Sequence, residues 1–176
     1  MSLSPDTFDG FGQQKLPEYT YVPGLTPHPV SDVRGHAYGQ PRPAAIGQLQ
    51  AGTELFNHGY YWEAHEAWEA EWMAAGRAGC RADLIKGLIK LAACGVKCLE
   101  GNRDGAMRHA RRAGELILRS IAEHSDLISD PKCEALLALA QRSAIHPPLA
   151  TAEQQQQAQH GGVPVLGDLP EIFQHE

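Results

Sequence analysis

Residues Tyr60 to Trp72 read YYWEAHEAWEAEW, an unbroken run of aromatic, alanine, glutamate and histidine residues. Placed at about 100° per residue, Tyr61, His65, Trp68 and Trp72 share one face of a helix, with Trp62, Glu66, Glu69 and Met73 on the flank beside it. A face that apolar is normally buried, so this segment belongs inside a helical bundle. Burying His65, Glu69 and Glu66 along with it would cost several kcal/mol, on the order of the penalty for unpaired polar groups, unless each finds a partner or lines a cavity.

The flanking sequence repeats the helical signal. Ile46, Leu49, Thr53 and Phe56 recur at three and four, predicting a helix over Ala44 to Asn57 that Asn57-His58-Gly59 stops before the aromatic helix of Tyr60 to Ala75. Asp83 to Glu100 carries Leu84, Leu88, Leu91, Gly95 and Leu99 on one stripe, Ile85, Ala92 and Val96 beside it, and Lys86, Lys90 and Lys97 opposite. A fourth helix over Asp104 to Glu123 has a stripe of Ala106, Ala110, Ala113, Gly114, Ile117 and Ile121, small enough at one end to let a neighbour approach closely. Its Arg108, Arg111, Arg112 and Arg119 lie off that stripe and read as a solvated face. Asp130-Pro131 opens a fifth helix, which Pro147-Pro148 ends.

The predicted architecture is therefore all-α: a compact bundle of about five helices over residues 44–148. Residues 1–43 are too rich in Pro and Gly for a regular helix and form an extended arm. Its Tyr19, Tyr21, Val22, Leu25, Val33 and Tyr38 suggest that its second half lies against the body, and His28, Arg34 and His36 either reach over a pocket or cap helices. Residues 149–176 form a partly irregular tail. Its apolar Val163, Val165, Leu166, Leu169, Ile172 and Phe173 either dock on the body or mediate a homo-oligomer.

A chain of 176 residues holds one sizeable core. Its 15 Lys+Arg against 21 Asp+Glu give a formal net charge of -6, which would repel a polyphosphate and argues against nucleic acid. The first thirty residues hold no apolar run of signal-peptide length, and lysines break the most apolar stretch, Leu84 to Leu99, so a cytoplasmic protein with no membrane association is expected. Cys80, Cys94, Cys98 and Cys133 fall within or beside helical patterns and read as reduced thiols. Cys94 and Cys98, one turn apart, fit packing better than a soft-metal site.

Chemistry concentrates in HEAWE, His65 to Glu69. His65 and Glu69 project to the same side one turn apart, the geometry by which a helix offers two ligands to one ion. The run has the outline of the H-E-x-x-H zinc helix with glutamate in place of the second histidine, which sets Glu66 where that motif carries its general base. Tyr61, Trp62, Glu63, Trp68 and Trp72 would then line the surrounding pocket. A third ligand is missing from the motif, with His28, His36 and His109 as candidates. Three readings remain open at this point: a divalent metal (Zn, Mn or Fe) site with catalytic Glu66, a structural His–Glu pair, and a metal-free pocket for a small-molecule ligand.

The strings FNHGYYWEAHEAWEAEW (Phe56 to Trp72), KGLIKLAACGVKCLEGN (Lys86 to Asn102) and GAMRHARRA (Gly105 to Ala113) resemble a widespread prokaryotic family, domain of unknown function 309. The likeness covers roughly residues 45 to 122, and the arm resembles the leader of a bacterial subgroup. The resemblance implies a compact helical bundle. It also implies the label of predicted metal-dependent hydrolase, which falls here on Glu63, His65, Glu66 and Glu69. A departure is Lys90, where the resemblance leads to glutamine; helical placing points Lys90 outward.

Overall fold

The computed structural model describes residues 16–31, 48–123 and 131–170. Six helices follow one another there: α1 (Gln48–Asn57), α2 (Tyr61–Ala74), α3 (Cys80–Leu99), α4 (Arg103–Glu123), α5 (Pro131–Ile145) and α6 (Ala152–Gln157). No strand occurs among the described residues, and the fold is all-α. The starts of the predicted first and fifth helices, Ala44 with Ile46 and Asp130, lie outside the described residues, as do Val33, Arg34, His36 and Tyr38 of the arm and Ile172 and Phe173 of the tail.

Each of the first five helices packs on its neighbour in sequence, α1 on α2, α2 on α3, α3 on α4 and α4 on α5. The centre is α3, whose Leu84, Ile85, Leu88, Leu91, Ala92 and Leu99 are buried between α2 and α4. It begins three residues before the expected Asp83. Gly79, at φ 90°, turns the chain into it, and Asp83 instead uses its first-turn position to take a bidentate pair from Arg119 of α4, with both N···O distances 2.6 Å. On the exposed face of α4, Arg112 pairs with Glu115, so two of its four off-stripe arginines serve surface ion pairs.

Two close approaches set the helix register. A Cβ on Gly95 would run into the ring of Tyr61, so α2 and α3 touch there through bare backbone. At the other end of that antiparallel pair Lys86 Nζ sits 4.5 Å from the centre of the Trp72 ring. Interpolating between these contacts places residues 66–68 level with Lys90 and His65 level with residues 91–93. Between α3 and α4, Gly87 meets Ile117 and the Ala113 carbonyl, and the Lys97 side chain meets Gly105, which sets His109 level with residues 91–95.

Arm and tail are both fastened to the hairpin of α1 and α2. In the arm Tyr19, Thr20, Val22 and Thr26 are buried, and the Tyr60 hydroxyl donates to Pro17 O at 2.9 Å. In the tail Val163, Leu166 and Leu169 are buried against the body, so this part of the apolar patch docks within the chain. The Asn57 amide exchanges two hydrogen bonds with the Leu169 backbone, at 2.8 and 3.1 Å. The sixth helix, α6, was not foreseen in the tail. Thr151 and Gln154 close a capping box at its start.

Cys94, Cys98 and Cys133 are buried free thiols, and Cys80 is half-buried. A hydrogen bond with Cys98, reinforced by burial, pushes the Cys94 thiol far up, so both behave as packing groups. Among the described residues no helix is long and apolar enough to cross a membrane.

Candidate metal centre

The aromatic helix divides differently from its sequence-based face. Tyr61, Ala64 and Trp68 point into the core, whereas His65 and Trp72 stand half-buried at its rim. Trp68 donates from its indole N–H to Leu49 O at 3.1 Å, which ties α2 to α1. The Tyr61 hydroxyl accepts two backbone N–H groups of the tail, Val165 and Leu166, both at 2.8 Å. Burial pushes the Tyr61 hydroxyl far above its ordinary range and keeps it neutral.

The glutamate that is fully enclosed is Glu63, at 0 % exposure. Its two carboxylate oxygens accept from the Thr20 hydroxyl and the Tyr21 backbone N–H, both at 2.9 Å. Two residues separate Glu63 from His65, which turns it about 200° away around the helix and toward the arm. Trp62 forms an edge-on triangle with Tyr21 and His28 of the arm, its ring centre 5.3 and 5.7 Å from theirs. Of the residues expected to line a pocket with His65, therefore, Tyr61, Glu63 and Trp68 are engaged in buried contacts and Trp62 faces the arm. Trp72 lies under Lys86.

His65, Glu66 and Glu69 do converge. Each offers a ligand atom, and these atoms all lie within 4.8 Å of one another. His65 Nδ1 stands 3.3 Å from Glu66 Oε1, with the two side chains 28 % and 42 % exposed. One imidazole nitrogen and two carboxylates suit a borderline or hard divalent ion. Atoms bound at about 2.0–2.2 Å from a common centre lie roughly 3–4 Å apart, so modest side-chain rotations bring the three onto one ion. The group could hold a metal ion.

Of the three histidines considered as a further ligand, His36 lies outside the described residues and His28 packs on Tyr21 and Trp62. His109, on α4, is the one near enough to His65 for its charge to be felt. Burial lowers its pKa most, and the charges of Lys90, Lys97, Arg108 and His65 add to the effect, bringing it down to about 4. It is neutral at pH 7, the form that binds a metal or hydrogen-bonds through an open nitrogen.

Lys90, which helical placing points outward, is half-buried, and its charge reaches His109 on α4.

No curated protein and no solved structure matches the chain. A family model described as "Domain of unknown function (DUF309)" matches residues 49–109, a span that contains His65, Glu66 and Glu69 and ends on His109. Residues 49–109 of this chain are thus a member of the domain of unknown function 309 family.

Proposed function

We propose that this protein is a metal-dependent hydrolase whose centre is built on α2, with His65 and Glu69 as ligands of a divalent ion (Zn, Mn or Fe) and Glu66 as general base. The observation that supports this reading is that the ligand atoms of His65, Glu66 and Glu69 all lie within 4.8 Å of one another at a half-exposed rim, so that Glu66 would stand beside an ion held by the other two. A bound divalent ion supplies Lewis acidity, which polarises a scissile bond and eases deprotonation of a water molecule. Glu66 takes the proton of the attacking water and returns it to the leaving group, so the residue ends the cycle ionised as it began it. Its contact with His65 Nδ1, at 3.3 Å, would leave Nε2 as the imidazole nitrogen to meet an ion. His109, held neutral, stands on the α4 side as a further ligand or a hydrogen-bonding group.

Metal analysis of tag-free protein, joined to isothermal titration with Mn2+ and Zn2+, tests the proposal. One ion per chain is expected, and His65→Ala should weaken its binding by about a hundredfold, the scale of losing one ligand. Metal-free protein whose titrations and melting temperature ignore both ions would overturn it.

A further inference from the structure

We infer that the rim of α2, α3 and α4 is an oxyanion site, and that the group it receives is a phosphate monoester, held by Lys90 and His109 beside the metal ligands. The inference rests on the metal-centre reading and names the substrate class that centre takes.

Register carries the case. His65 on α2 and His109 on α4 are both level with the same turn of α3, about residue 93, one on each flank. Lys90 is level with residues 66–68, between Glu66 and Glu69, and about one turn along α3 from His109. Three helices therefore bring a carboxylate pair, two imidazoles and an ammonium to one level of the bundle. Electrostatic coupling of His109 to both His65 and Lys90 agrees with that placement.

The charge at Lys90 is available. Lys97, further along the same helix, is held by Glu100 at 2.8 Å and Lys86 covers Trp72, whereas among the described residues Lys90 forms no ion pair. A half-buried ammonium on the turn of α3 level with Glu66, in no ion pair among the described residues, is placed to meet an anion that arrives with the substrate. A lysine acts as a point charge and an imidazole as a single hydrogen-bonding group, a combination that suits a tetrahedral oxyanion contacted from several directions. A planar carboxylate is better met by the bidentate fork of arginine. Arg108, whose charge also reaches His109, is exposed on α4.

The test is two successive titrations of the full chain: MnCl2 first, then sodium orthophosphate into the Mn2+-loaded protein, with sodium acetate as a parallel probe. Wild type, Lys90→Gln and Lys90→Arg are compared. Orthophosphate is expected to bind the loaded wild type and acetate to bind at least about tenfold more weakly. Lys90→Gln should lose about tenfold in phosphate affinity, Lys90→Arg should retain most of it, and both should bind Mn2+ within about twofold of wild type. Normal Mn2+ binding without phosphate binding, or phosphate binding that Lys90→Gln leaves intact, overturns this inference and leaves the metal centre standing. Acetate binding as tightly as phosphate overturns the phosphate assignment. Absence of Mn2+ binding in the first titration removes the metal centre and this inference together.

Discussion

Glu63 and Glu66 sit three residues apart on one helix and lead opposite lives. Glu63 is sealed, with both oxygens occupied by the arm. Glu66 is 42 % exposed, and its contact is the neighbouring His65 at 3.3 Å. A buried carboxylate with satisfied oxygens is a structural fastening, since its removal strands the donors that pointed at it. A rim carboxylate contributes little to the fold and keeps its lone pairs for something else. The same division runs through the motif that carries the family resemblance. Asn57, Gly59, Tyr61 and Glu63 build the turn and the clamps on arm and tail, while His65, Glu66 and Glu69 have no such duty.

The contrast is sharpest in stability. Glu63→Ala should lower unfolding free energy by about 3 kcal/mol, because the Thr20 hydroxyl and Tyr21 N–H lose their acceptors in a dry site. Glu66→Ala should change it by less than about 0.5 kcal/mol. Urea unfolding of both variants checks the pair, and equal losses would erase the distinction between fastening and rim.

Next in size, Tyr61→Phe keeps the ring against Gly95 and removes only the hydroxyl that Val165 and Leu166 share. A loss of about 2 kcal/mol is expected. Amide hydrogen exchange should speed up at Val165 and Leu166 first, and exchange unchanged there would show that the tail is held by apolar contacts alone.

A third effect, read in pH dependence, concerns His109. Its folded pKa, near 4, lies below its ordinary 6.5, so the unfolded chain takes up the proton first as pH falls. Its contribution is whole above about pH 6.5 and fades toward pH 4. His109→Asn should therefore melt with a shallower pH dependence than wild type over that window, and parallel curves would place His109 in open solvent.

The bundle was legible because α3 and α4 carry long stripes with a single period, and HEAWE was legible because a four-residue spacing stays on one side of any helix. The orientation of α2 was not. Aromatic residues surround it, so the sequence pattern offers no preferred core side, and His65 was placed at the centre of an apolar face when it stands at the rim. The clamps were invisible for a different reason: Thr20 reaches Glu63 across 43 residues and Val165 reaches Tyr61 across 104, and periodicity reports nothing over such separations. The short α6 announces itself only through its Thr151 cap and the glutamines after it.

The bond between Asn57 and Leu169 spans 112 positions. During synthesis on a ribosome, the amide of Asn57 and the hydroxyl of Tyr61 must wait for residues 165 to 169 to emerge before their partners exist. The helical hairpins of α1 to α4 depend on near neighbours and can assemble while the nascent chain is still growing. Closure of the molecule therefore follows the hairpins, and a ribosome that stalls before residue 165 releases a bundle in which the Asn57 amide and the Tyr61 hydroxyl still lack their partners.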